Sequence, residues 1–324
     1  MMTTTSQSKT EKQYIETASL SRTFIRRSFA TLTVTLLVVF ALVQTVPFAL
    51  TIANSLKCRP VVQQRPQVFI PSPPFGVDCR TETGAALPAE ATSTLFTFNP
   101  ALEGYQRVFE YNLDVWFLNT VYYAVAITVL RLIFDSLAGY ALARIRFPGN
   151  RVFFFIILGT MMIPGVVLLV PRFIILQQLG LLNTYQGVIL TLGADAFGVF
   201  LMKQFFESIP PEIEEAAMVD GANRFVMFGR VILPMATPAL TALAIFSFQG
   251  TWNNFMDLLI IVGGDASKHN LPLGLAQLRG QFGDTLEWNT FLAGAVIATI
   301  PLALLFFFFQ RYFVEGISYT GLKG

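Results

Sequence analysis

Charge is scarce in this sequence: Asp, Glu, Lys and Arg make up 13% of its 324 residues, where soluble domains carry nearer a quarter. Most of the surface must therefore meet something other than water, and a bilayer is the obvious medium. Histidine occurs once, at His269, which excludes a multi-histidine metal centre and leaves a residue expected to be solvated in a loop. The two cysteines, Cys58 and Cys79, are too few for a zinc ribbon, an iron–sulfur cluster or a disulfide-rich scaffold. A net charge of +2 is too small to point to nucleic acid as a partner. What the chain has instead is apolar bulk: 54% hydrophobic residues, 32 of them Phe, and a mean hydropathy of +0.58.

A helix rises about 1.5 Å per residue, so crossing a hydrocarbon core of roughly 30 Å takes about 20 apolar residues. Uncharged runs occupy 29–52, 116–130, 152–170, 231–256 and 288–310, and a further run, 173–202, is interrupted only by Asp195. The start of that run contains LQQLGLLNTYQ, which is too polar and turn-rich for a continuous span. A bend there and a span over 186–206 are expected. The reading is an all-α membrane protein with six transmembrane helices. Lys and Arg concentrate in the segments that an inside N-terminus makes cytoplasmic, including Arg26, Arg27, Arg144, Arg146, Arg151, Lys203, Arg224 and Arg230. Lys268 and Arg279 are the basic residues of the last outer loop. Positive loops stay inside, so both termini are expected in the cytoplasm. The first apolar run exceeds a signal-peptide core, and Val46–Ala49 make a poor cleavage site. It is read as a retained span preceded by a polar, poorly ordered tail, 1–28.

Between 53 and 115 the composition changes: Pro60, Pro66, Pro71, Pro73, Pro74, Pro88 and Pro100 fall here with both cysteines. This long loop is expected outside the membrane, where an oxidising environment permits a Cys58–Cys79 disulfide worth on the order of 3 kcal/mol. Two free thiols are the alternative, and only geometry separates the two.

The segment 207–234, ESIPPEIEEAAMVDGANRFVMFGRVILP, reads as two short helices between the fourth and fifth spans. Pro210 and Pro211 start the first, with Glu212, Glu214 and Glu215 near the positive end of its dipole. Gly221 can take the left-handed conformation that ends a helix. Phe225 and Phe228 then fall three apart on one expected face. Ala216, Ala217, Gly221 and Ala222 leave a smooth surface that another protein's backbone could approach.

EAAMVDGA, followed by VILP at 231–234, resembles the EAA loop of the membrane subunits of ATP-binding-cassette importers. FLNTVYYAVAITVLRLIFDSLAGYALARIRFPG at 117–149, TWNNFMDLLIIV at 251–262 and QRYFVEGISYTGLKG at 310–324 are similar to carbohydrate-uptake permeases, in particular the smaller permease subunit of maltose-type importers. The resemblance implies a type I importer permease fold: a permease core over 116–324 and, departing from the family, an unusually long extracytoplasmic loop after the first span. It implies a prokaryotic plasma-membrane protein with a second, homologous permease as heterodimer partner, two ATPase subunits and an extracytoplasmic solute-binding protein. Glu214, Glu215, Ala216, Ala217, Asp220, Gly221, Ala222 and Pro234 would then form the coupling contact with the ATPase. The alternative for this hairpin is an amphipathic element that merely lies on the membrane. The chain has no GxxxxGK[ST] phosphate loop, so it is expected to be a transport subunit without its own ATPase site or cofactor, ATP and Mg being bound by partner subunits.

Ionisable groups at bilayer depth are expensive and face a partner or a water-filled cavity. Arg131 and Asp135 are four apart and expected to pair on one helix face. Asp195 has no partner in its own helix; it is a candidate for the solute path or for packing beside a partner's polar group. Gln249, Trp252, Asn253, Asn254 and Asp257 form a polar and aromatic cluster in the fifth span, with Gln249, Asn253 and Asp257 on one expected stripe. Amides and a carboxylate beside an aromatic ring suit a carbohydrate pathway; amide contacts to a partner permease are the other reading. Pro164, Pro171, Pro234 and Pro238 are expected to kink their helices, and Trp116, Tyr122, Trp288 and Tyr312 to anchor span ends at the interface. An ion-coupled secondary transporter with Asp195 as its cation site is the competing function, although no inverted repeat is evident.

Overall fold

The computed structural model describes the backbone of residues 4–57, 101–282 and 287–321, with side chains over 28–57, 101–278 and 287–310. Most of the long loop, and with it Cys58 and Cys79, lies outside the described residues, as does the Tyr312 side chain. Every regular element described is helical.

The first helix, α1 (Thr4–Ser55), extends back through the segment expected to be poorly ordered. That stretch contains neither Gly nor Pro before Pro47, so nothing local stops the helix. None of its most apolar stretch is buried within the chain; its neighbour is the last helix, α13 (Trp288–Gly321). After α2 (Glu103–Glu110) comes the axis of the fold, α3 (Leu113–Arg144), of 32 residues and therefore about 48 Å long. Three clusters of buried side chains line it in turn. Leu113 and Trp116 meet Trp252 and Leu275 at one end, and Tyr123 and Ile127 meet Val188, Leu192 and Leu258 further along. Tyr140 meets Met202, Phe206, Met227 and Leu243 at the other end. Trp116 is thus a core residue, 6% exposed; its ring lies where a Cβ on Gly274 would come within 2.1 Å, which corrects the expectation of an interfacial anchor. Tyr122 and Trp288 are exposed.

The third expected span is broken. α4 (Asn150–Met161) and the stretch containing α5 (Leu169–Gln178) meet at 98°. Pro164 lies in the break with ψ 127°, a backbone a helix cannot contain. Pro171 sits in the first turn of α5, where its missing N–H costs nothing, so the kink expected of it is absent. The turn-rich stretch that follows bends through Gly180 and Asn183, both at positive φ. α6 (Tyr185–Leu192) and α7 (Ala196–Ser208) then form one span with no bend above 40°. The fifth expected span is also broken: α9 (Arg224–Met235) and α10 (Thr237–Trp252) meet at 79°. The bend falls at Ala236; Pro238 again occupies a first turn. α11 (Met256–Val262) and α12 (Leu271–Phe282) precede α13. Among the described residues four helices are long and apolar enough to cross a membrane, or six if each bent pair is one span.

Candidate functional site

The hairpin between α7 and α9 is built from its own caps. Ile209 and Pro210 take extended ψ of 130° and 133°, which ends α7 and lets Pro211 open α8 (Pro211–Val219) with Glu212 and Glu214 in the first turn. Gly221 closes it at φ +85°. Its N–H bonds to Met218 O at 3.0 Å and the Ala222 N–H to Ala217 O at 3.0 Å, the paired bonds of a Schellman motif. Asn223 then accepts from the Val226 N–H at 2.9 Å and caps α9. A π-helical stretch from Met227 to Ile232 shifts the side-chain register. Phe225 and Phe228 consequently do not share a face, contrary to expectation: Phe225 is 87% exposed, while the Phe228 ring lies 5.0 Å from that of Tyr140.

These caps sort the eight residues expected at the coupling contact. Glu215, Ala216, Asp220 and Gly221 face outward beside exposed Val219. Ala217 and Ala222 are half-buried against the Phe206–Met227 cluster. Pro234 is exposed but lies near the far end of α9. Glu214 is buried and points inward, a correction to the expected contact: its carboxylate lies 3.2 Å from Arg144 Nε and 3.9 Å from an Arg224 guanidinium nitrogen. The Arg144 approach lacks hydrogen-bond alignment, so charge attraction holds it. Arg144 also donates to the carbonyls of Phe206 and Ile209 at the end of α7. Loss of Arg144 would leave the buried Glu214 only the more distant, exposed Arg224, whereas loss of Glu214 would leave Arg144 its two carbonyls. A cleft of about 1380 Å³ lies beside the hairpin, lined among others by Arg146, Arg151, Lys203, Glu207, Glu215 and Met218.

At the other end of α10 the helix stops at Trp252, and the chain turns through Asn253 to Phe255 before α11. The expected stripe is therefore interrupted: Gln249 and Asn253 are exposed, whereas Asp257 belongs to the next helix. Asp257 is held by Arg172 at 2.5 Å and by Asn254 Nδ2 at 2.9 Å, and Asn270 donates to Asn254 O at 2.6 Å. Arg172 falls between the uncharged runs that end at Val170 and begin at Phe173; a single charge in an apolar stretch is the sequence signal that marks it. Trp252 offers no face to a ligand. It is 2% exposed, stacked on Phe248 at 5.4 Å and edge-on to Phe117 at 5.8 Å, with its indole N–H bonded to Ala298 O at 3.0 Å.

Arg131 and Asp135 do not pair. Arg131 Nε donates to Leu192 O at 2.8 Å, and Asp135 accepts from the Asp195 backbone N–H at 3.0 Å. Asp195 is the half-buried residue preceding α7, and its side chain makes no cap bond. His269, expected to be solvated, is 1% exposed. The 263–270 loop folds back on α3, where Asn119 donates to Ser267 O and His269 O and Thr120 accepts from the Leu271 N–H. In that loop, hydrogen bonds from Lys268 and Ser267 hold the Asp265 carboxyl down at about 2. Among the described residues no group of three or more His, Cys, Asp or Glu could hold a metal ion.

A long helical axis, two sharply bent apolar pairs and a capped hairpin that turns Glu215 and Ala216 outward describe a polytopic membrane protein. Residues 135–319 match the family described as binding-protein-dependent transport system inner membrane component. The chain is 38% identical over 209 residues to the arabinooligosaccharides transport system permease protein AraQ of Halalkalibacterium halodurans, covering 64% of this chain and 74% of that one. It is 32% identical over 237 residues to the trehalose/maltose transport system permease protein MalG of Thermococcus litoralis, covering 72% and 84%. A solved bacterial ABC transporter involved in the import of the acidic polysaccharide alginate contains a chain 27% identical in sequence. That chain superposes with a TM-score of 0.71 over 89% of this chain and 97% of its own length. The protein belongs to this family of inner-membrane permease components of ATP-binding-cassette importers, which are transport subunits and not enzymes. The ion-coupled alternative is accordingly set aside.

Proposed function

We propose that this chain is one half of a permease pair that imports a carbohydrate or related polyol by alternating access, driven by two separate ATPase subunits that hold ATP and Mg. Relatives named for arabinooligosaccharide and for trehalose/maltose transport support the solute class. In this reading each bent pair is one span, giving six, with the hairpin and both termini in the cytoplasm and the 53–115 and 263–270 loops outside, where a solute-binding protein docks. The Arg172–Asp257–Asn254 cluster, with exposed Gln249 and Asn253, lies on the polar route between the two permease halves. Asp195 serves packing at the break before α7 and not solute contact.

The observation that carries the proposal is the hairpin surface. Glu215, Ala216, Asp220 and Gly221 are presented outward beside two large apolar side chains, Val219 and Phe225, each 87% exposed. Burying each of these against a protein partner would contribute about 1.5–3 kcal/mol, while the Glu214–Arg144 contact fixes the hairpin to the transmembrane axis. Helices that lie on a membrane carry Lys and Arg on their polar face, whereas this tip carries Glu215 and Asp220. The test is Glu215→Arg in the assembled importer. ATP-driven uptake should be abolished and solute-stimulated ATP hydrolysis lost, with the permease pair still co-purifying. Wild-type uptake by that variant would overturn the coupling role.

A further inference from the structure

The fourth span is interrupted at Gly193–Asp195, yet it counts as one span, without the bend of more than 40° that divides the third and fifth. Broken helices bend unless something holds both stumps, because several N–H and C=O groups lose their partners at the break. Here the holding groups come from one neighbouring helix. Arg131 on α3 takes the Leu192 carbonyl at the end of α6, and Asp135, one turn further on, takes the Asp195 N–H at the start of α7. The approach is close: a Cβ on Gly198 would come within 2.0 Å of the second Asp135 oxygen, which is buried without a hydrogen-bond partner. Gly139 repeats the close approach one turn along, where a Cβ would meet Met202 Cβ at 2.7 Å. Arg144 then grips the other end of α7 through the Phe206 and Ile209 carbonyls and reaches Glu214 on α8.

We propose that Arg131, Asp135 and Arg144 are positioning residues that splint α6, α7 and the hairpin to α3, so that displacement of the hairpin moves the fourth span as one body instead of being absorbed at Gly193–Asp195. The inference rests on the coupling role proposed above. It assigns movement to the breaks at Pro164, Ala236 and Asn253–Phe255, and rigidity to the break that α3 bridges. The charges facing Asp135 are Arg131 on its own helix and Asp195 across the break; neither is bonded to its carboxylate by a side chain.

The experiment uses the complete importer with its partner permease, ATPase and binding protein in proteoliposomes and reads ATP hydrolysed per solute imported. Asp135→Leu and Arg144→Gln should raise that ratio by at least about fivefold, the lower end of usual coupling energies, with basal hydrolysis retained. Asp135→Asn keeps an oxygen for the Asp195 N–H and should stay near the wild-type ratio. An unchanged ratio in the Leu and Gln variants, or an Asn variant as impaired as the Leu variant, would overturn the splint. A second measurement does not depend on how these variants fold. With Cys58 and Cys79 replaced by serine, spin labels at Leu137→Cys on α3 and Phe197→Cys on α7 should keep one separation with and without ATP. A separation that changes would also overturn the splint. If Glu215→Arg leaves ATP-driven uptake intact, the coupling reading itself falls; if it abolishes uptake while Asp135→Leu changes nothing, only the splint falls.

Discussion

At the scale of single residues the polar side chains inside the bundle are spent on backbone and on each other across long sequence separations. Arg172 and Asp257 are 85 positions apart in sequence and in contact at 2.5 Å, with side chains 33% and 16% exposed. Such a partly buried pair costs more when one member is lost than when both are, because the survivor is left desolvated. Arg172→Ala should therefore reduce uptake more than Arg172→Leu combined with Asp257→Leu, and a double-mutant cycle on thermal stability should show a coupling of about 1–2 kcal/mol. Additive effects would mean the contact contributes nothing. The pairing was not legible in the sequence, where Asp257 appeared on a helical stripe with Gln249 and Arg172 went unremarked. Nor were the true partners of Arg131 and Asp135: spacing of four made them look like each other's, but both reach carbonyls or amides of another helix. Trp252 was misread for the same reason. Its type suggests a platform, but Phe248 of its own helix already stacks on the ring and α13 takes its N–H through Ala298 O.

At the scale of elements the sequence reads better, because the decisive signals are local. The hairpin limits were legible from Pro210–Pro211 and Gly221, and so was the turn between α5 and α6 from its Gly and Asn. Proline misled by position: Pro164 stands in a break, while Pro171 and Pro238 start helices. Gly221 is the element-scale test. A β-carbon at φ +85° meets no neighbour, so the cost of Gly221→Ala is purely the left-handed backbone, about 1–2 kcal/mol. That strain should fray the α8 end, seen as faster amide exchange at Gly221 and Ala222, while α3 and α7 keep their protection. An equal loss of protection in α3 would show that the hairpin is not a separable unit. Val219 and Phe225 flank this turn, so a misdirected tip should also weaken ATPase capture in pull-down assays with the second permease present.

At the scale of the whole molecule the distribution of exposed apolar surface and of charge fixes how the chain sits in its membrane. α1 buries none of its apolar stretch and the span of α13 only 11%, so these helices need lipid or the partner permease to cover them. Between the hairpin and the 263–270 loop runs α10, whose 16 residues give about 24 Å of rise. In the topology proposed above the two ends emerge on opposite sides. Arg144, Arg146, Arg151, Lys203, Arg224 and Arg230 belong to the hairpin end, and the charge rule favours the cytoplasmic side proposed for it. In a background with Cys58 and Cys79 replaced by serine, Ala266→Cys should react with a membrane-impermeant maleimide in intact cells. Val219→Cys should react only after permeabilisation, and should be shielded again when the ATPase is bound. Labelling of Val219→Cys from outside would invert the topology and remove the hairpin from reach of any cytoplasmic ATPase, because a coupling surface works only on the side where ATP is hydrolysed.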